Sequence, residues 1–168
     1  MGAYRIRPAA VSDAAAIASH RVRMFSDMGQ MPTAALAAGL LAQSSVAIAA
    51  SLRDGSYLGW LAIDHGDRVI AGVGVHIKPQ LPRLSHDGAR VVTAPVPLVV
   101  NVYTEPAWRG QGIARALMQS LMDWASAAGC DRVLLHAADA ARPLYESLGF
   151  TPTNEMRWSP SWHTGSAG

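Results

Sequence analysis

The chain has 168 residues, half of them hydrophobic, enough for one domain with a core of its own. Its 14 basic and 12 acidic side chains leave a net charge of +2, far from a nucleic-acid-binding composition but compatible with an anionic small ligand. One cysteine, Cys130, excludes an internal disulfide and suits a reducing cytoplasm; six histidines without ligand spacing speak against a metal, and no unbroken run of about 18 apolar residues predicts a membrane span.

Tyr4-Arg5-Ile6-Arg7 alternates and stops at Pro8, which predicts a first strand. Ser12 and Asp13 are capping types ahead of an Ala-rich helical run. Ala16, Ile17, His20, Met24 and Met28 recur at helical spacing in it, and Gly29 ends it. Pro32-Thr33 opens a second helix through about Ala50. Tyr57 to Ile63 and Val69 to Ile77 read as strands around a turn at Asp64-His65-Gly66-Asp67. A long connection with prolines at 79, 82, 95 and 97 comes next. A fourth strand runs from Leu98 to Thr104, where alternation puts Asn101 on one face with Val99 and Tyr103.

The stretch after this strand carries the chemistry. Glu105-Pro106-Ala107-Trp108-Arg109-Gly110-Gln111-Gly112 leads into a helix over 113–128, with Ile113, Leu117, Leu121 and Trp124 on its core face. The first N–H groups of a helix lack intrahelical partners and carry the positive end of its dipole. Gly110 and Gly112 leave room for an anion, and Arg109 and Arg115 add charge, so the stretch reads as a phosphate cradle. Downstream, Gly129 ends the helix, Arg132 to His136 form a short fifth strand, and Asp139 caps a helix that accepts Pro143 in its first turn. Gly149 ends that helix, and Thr153 to Trp158 suggest a last strand.

The cradle lacks the Lys of a Walker loop and the third Gly of a dinucleotide fingerprint, which leaves a nucleotide-binding module a weak reading. The pattern Arg109-Gly110-Gln111-Gly112-Ile113-Ala114 instead resembles the acyl-CoA pyrophosphate loop of the GNAT N-acetyltransferase superfamily. Leu144-Tyr145-Glu146-Ser147-Leu148-Gly149-Phe150 resembles the second signature of that superfamily. The resemblance covers residues 4 to 158.

The resemblance implies a fold of mixed α/β (α+β) class: a mostly antiparallel sheet of six or seven strands, splayed between the fourth and fifth, with about four helices. It implies one domain over residues 1–160 and a flexible tail over 161–168. The reaction implied transfers an acetyl group from acetyl-CoA to a primary amine of a small molecule, or to a protein amine. By the same resemblance, backbone groups of Val102, Tyr103 and Thr104 take the pantetheine arm. Arg109, Gly110, Gln111, Gly112, Ile113, Ala114 and Arg115 would hold the pyrophosphate. Tyr145 would be the general acid for the departing thiolate.

The base stays open. Asn101, Glu105 and His76 are candidates as base or water-orienting groups; Glu105 sits at a strand end where it can simply face solvent, and His136 is a further candidate. Met24, Asp27 and Met28, with Phe25, Met31 and the loop at His86 and Asp87, lie where this fold recognises its acceptor, although methionines more often fill a core. Asp27 or Glu155 could attract a cationic amine. The Asn that the family often carries seven residues before the tyrosine is Ala138 here. No metal, nucleic acid or membrane is expected, and family habit suggests a homodimer. The rival reading is a non-catalytic acyl-CoA sensor, which keeps the cradle and loses turnover.

Overall fold

The computed structural model describes residues 4–160; the tail read at 161–168 and His163 lie outside the described residues. The chain divides into two units, one reaching to His136 and one beginning at Ala137.

In the first unit the strands are β1 (Tyr4–Pro8), β2 (Tyr57–Asp64), β3 (Val69–Lys78), β4 (Arg83–Leu84), β5 (Val91–Val92), β6 (Val96–Thr104) and β7 (Leu134–Leu135). Its helices are α1 (Ala14–Asp27), α2 (Ala34–Asp54) and α3 (Ile113–Ala127). A five-stranded sheet runs in the order β1-β2-β3-β6-β7, and β4 pairs with β5 as a separate ribbon. All pairs in the sheet are antiparallel except β6 with β7.

Strand alternation sorts side chains onto the two faces. Tyr57, Leu61 and Ile63 of β2 join Ala14, Ile17 and Ala18 of α1 and Ile48 of α2 in one core cluster. The intervening Trp60 meets Trp124 of α3, with ring centroids 5.7 Å apart. The α1 and α2 helices thus cover one face and α3 the other. On α3, Ile113, Leu117, Met118, Leu121 and Ala125 are buried at helical spacing, each larger side chain contributing about 1.5–3 kcal/mol of hydrophobic stabilisation.

Local chemistry explains the ends. Thr33 caps α2 by accepting the Leu36 N–H at 3.2 Å. Asp64 accepts from the N–H groups of Gly66 and Arg68, both at 2.9 Å, which closes the β2–β3 turn. Asp13 stands at the N-cap position of α1 but makes no side-chain cap bond there. It lies in a 3-10 turn before α1, accepts the Ala10 N–H at 2.7 Å and takes both guanidinium nitrogens of Arg7 at 2.7 and 2.8 Å.

The structure corrects other expectations. The long proline-rich connection carries the β4–β5 ribbon and is shorter than expected, since Pro97 lies inside β6. The fifth strand shrinks to Leu134–Leu135. The methionines at the end of α1 and after it are not core: Met24 and Met31 are half-buried and Met28 is exposed. By length and composition α2 could cross a membrane, since its 18-residue apolar window has a mean hydropathy of 1.7 and is 11% buried. Polar Gln43, Ser44 and Ser45 interrupt the apolar run in the sequence, while Ile48 ties the helix to the core.

The second unit contains a 3-10 turn at Asp139–Ala141 and helix α4 (Arg142–Ser147). Asp139 lies inside that turn and makes no side-chain cap, the capping position being Ala138. Pro143 stands in the first turn of α4, where a missing N–H costs nothing. The strand expected over Thr153 to Trp158 is not formed; these residues have no regular structure, and Met156 and Trp158 are 93% and 83% exposed. An extended segment becomes a strand only where a neighbouring edge accepts its hydrogen bonds.

Candidate active site

The site is built around β6. On one edge this strand pairs with β3 from Val96 to Thr104. On the other it meets β7 only at Leu98↔Leu134 and Val99↔Leu135. From Val100 to Thr104 that edge has no strand partner among the described residues. Unpaired backbone groups of a strand seek hydrogen bonds, so the open edge is a ready template for an extended ligand. The expected fourth and fifth strands, β6 and β7, do splay.

The opening coincides with a bulge. Gly74 pairs with Asn101 and the next residue, Val75, pairs with Val99, which leaves Val100 as the extra residue on β6. Gly74 and Val75 point to opposite faces, and so do Asn101 and Val99. The expected shared face of Val99, Asn101 and Tyr103 therefore holds only for the last two. The signal lies in pairing across strands, which alternation along one strand does not contain.

At its far end β6 leads through a 3-10 turn, Pro106–Trp108, to the glycine loop. Gly110 and Gly112 have φ of 74° and 77°, a left-handed conformation that side chains resist. A Cβ at either would meet no protein atom within 4 Å. The loop is thus held open by backbone conformation and not by crowding. Ala116 donates to the Gly112 carbonyl at 3.1 Å, and the first N–H groups of a helix lack intrahelical partners and suit an anion. The Thr104 hydroxyl, at the end of the open edge, is buried without a hydrogen-bond partner. A ligand with an extended amide arm and a diphosphate fits these features.

Arg109 is tied back. Its Nε donates to the Thr104 carbonyl at 2.9 Å, its Nη2 pairs with Asp27, and its guanidinium lies 5.5 Å from the Tyr103 ring centre. Asp27, expected to attract a cationic amine, therefore carries a cation already. Glu105 does not face solvent freely. Arg23 and His20 both pair with Oε1, His20 at 3.3 Å, and the Glu105 side chain is only 22% exposed. The pairing of Glu105 with α1 has no trace in sequence spacing, because α1 lies about 80 residues upstream.

His20 is buried and its ring lies 4.9 Å from that of Tyr103. Burial pushes its pKa below the usual value, and the Glu105 carboxylate opposes this only in part. Helical spacing alone puts His20 on the α1 core face and gives it no role. An open groove of about 490 Å³ lies beside this pair, lined in part by Arg23, Arg68, Glu105 and Trp108.

Asn101 is buried and hydrogen-bonded through both ends of its amide. Its amide donates to the Tyr57 hydroxyl at 3.3 Å, and its Oδ1 accepts from Arg21 at 2.7 Å. Tyr57 reaches it across β3 only because residue 74 is glycine: a Cβ there would lie 1.8 Å from the phenol oxygen. His76 packs edge-on against Tyr57, and burial, with Lys78 and Arg21 nearby, lowers its pKa. Arg21, Tyr57, His76, Val100 and Asn101 line an open cavity of about 260 Å³, together with Gln43, Ser44, Ser51 and apolar residues of α2. The structure thus brings together the expected His76 and Asn101 and adds Arg21 and Tyr57. Met24, Asp27 and Met28 are not among the lining residues.

The acetyltransferase (GNAT) family model matches residues 25–150. The chain belongs to this family. Glucosamine 6-phosphate N-acetyltransferase of Trypanosoma brucei brucei is 30% identical over 83 residues, 49% of this chain and 51% of that protein. The match therefore spans about half the length of that relative. Aminoglycoside N(6')-acetyltransferase type 1 of Stenotrophomonas maltophilia is 28% identical over 158 residues, covering 90% of this chain and 88% of that one. A Clostridium acetobutylicum protein described as a predicted acetyltransferase, solved with acetyl-CoA, shares the fold at a TM-score of 0.79 and 23% identity, with 97% and 99% coverage. The mixed α/β fold is that of the GNAT acetyltransferases.

In this GNAT chain the second signature lies in the second unit. Tyr145 of α4 is buried, its ring edge-on to Phe150 at 6.0 Å. Burial raises its pKa, so the phenol stays protonated at neutral pH. Among the described residues no cluster of His, Cys, Asp and Glu is arranged to hold a metal.

Proposed function

We propose that the protein transfers an acetyl group from acetyl-CoA to a primary amine of a small molecule by direct attack. The observation that carries this reading is the open edge of β6 running from its bulge into the Gly110–Gly112 loop. Acetyl-CoA supplies the acyl group as a thioester. The N–H groups of Gln111 to Arg115 hold its diphosphate, and backbone groups of Val102 and Thr104 hold the arm. The cavity beside Asn101 takes the amine. His76, kept neutral by burial, receives the amine proton as the new C–N bond forms. Tyr145, kept protonated, gives its proton to sulfur as the C–S bond breaks. The relatives named for glucosamine 6-phosphate and aminoglycosides support a small amine as acceptor.

The test is thiol release from acetyl-CoA across a panel of amines. Acceptor-dependent release is expected, with Tyr145→Phe about 10²-fold slower. With His76→Gln, the loss of rate that wild type shows as pH falls through the His76 titration should disappear. Tight acetyl-CoA binding without thiol release from any amine would point to an acyl-CoA sensor instead.

A further inference from the structure

We propose that the cavity beside Asn101 selects an amine that also carries an anionic group, a carboxylate or a phosphate, which the Arg21 guanidinium binds. This rests on the reading of that cavity as the acceptor site. Three observations support it. The first is the sign of the lining. Arg21 is its fixed cation, His76 is held neutral, and among the described residues no carboxylate lines it. A site for a polyamine or an aminoglycoside needs fixed negative charge to offset the desolvation of several ammonium groups. This cavity offers the opposite.

The second is the state of Arg21. It forms no ion pair among the described residues, unlike Arg7, Arg23, Arg83 and Arg109. Its Nη1 is fixed by the Asn101 oxygen at 2.7 Å, and its guanidinium lies 5.0 Å from the Phe25 ring centre. The planar fork is thus oriented by neutral partners while its charge is left for a ligand. A fork held this way matches the two oxygens of a carboxylate or phosphate. The other acids of this face are spent: Glu105 on Arg23 and His20, Asp27 on Arg109.

The third is size and polarity. A volume of about 260 Å³ lies below the range of roughly 300–1,000 Å³ usual for drug-sized ligands. Gln43, Ser44 and Ser51 on α2 supply neutral hydrogen-bonding groups to the same lining. A small amine with one anionic and one neutral polar part fits, for example an amino acid or an aminosugar phosphate.

The test uses matched acceptors: an α-amino acid against its primary amide, and an aminosugar phosphate against the free aminosugar, with a polyamine as the cationic arm. Binding to the full chain is measured by calorimetry, and thiol release from acetyl-CoA in parallel. One anionic member should bind about tenfold or more tightly than its uncharged counterpart, and the pair that shows it tells carboxylate from phosphate. Arg21→Gln should collapse that ratio towards one, and Arg21→Lys should restore part of it. A polyamine preferred over both anionic amines overturns the proposal. So does an anionic-to-neutral ratio that survives in Arg21→Gln, or equal binding of both members of each pair. Binding selectivity without thiol release would uphold the selective site and refute acetyl transfer, so the two readings fail separately.

Discussion

The two edges of β6 serve opposite ends. Towards β3 the strand is paired along its length apart from the bulge at Val100, and on the face under α1 its side chains are held: Asn101 to Tyr57 and Arg21, Tyr103 against His20. Towards β7 the ladder lasts two residues, and beyond it stand unpaired backbone groups, a buried hydroxyl with no partner and two left-handed glycines facing open space. A strand satisfied on both edges would be a more stable element and would have nothing left to offer a ligand. Ladder hydrogen bonds and open backbone groups are divided here between the two edges of one strand.

Substitutions that act on one edge at a time can break this contrast. The largest effect is expected on the closed edge. Gly74→Ala drives a methyl group into the Tyr57 phenol and should destabilise the fold by about 3 kcal/mol, read as a fall in the denaturation midpoint. Gly110→Ala meets no protein atom. Its left-handed backbone costs only about 1 kcal/mol of stability, yet acetyl-CoA affinity, measured by calorimetry, should fall tenfold or more. If the two substitutions cost equal stability, the division between the edges is wrong.

Thr104→Val gives a smaller and more pointed result. Removing a buried hydroxyl that has no partner should raise stability by about 1 kcal/mol, while acetyl-CoA binding weakens if the arm uses that hydroxyl. A loss of stability would mean that the hydroxyl is already satisfied. The mildest test is pH. His20 and His76 have lowered pKa values in the fold, so the unfolded chain binds protons that the folded chain refuses. Their contribution is intact above about pH 6.5 and declines as pH falls below it. His20→Gln should flatten part of that decline in denaturant titrations at successive pH values.

What the sequence carried is contiguous in it. The cradle from Arg109 to Arg115 is one turn and the start of one helix, and its chemistry comes from glycine conformation and helix N–H groups with no tertiary contact needed. The same holds for the Leu144 to Phe150 signature, the β2–β3 turn and the core face of α3. These local rules sufficed for the family resemblance and for the order of elements.

Only the tertiary structure decided what lies opposite the cradle. Arg21, Tyr57, His76 and Asn101 come from α1, β2, β3 and β6, and nothing in their spacing foretells that they meet. The bulge at Val100 reversed the expected face of Val99, because register belongs to a pair of strands. Glu105 and Asp27 read as free charges, but α1 brings Arg23 and His20 to the first, and the loop brings Arg109 to the second. The physical reason is the range of the interactions. Backbone conformation and helix dipoles act within a few residues, whereas the charge of a pocket is set by which distant side chains folding leaves unpaired.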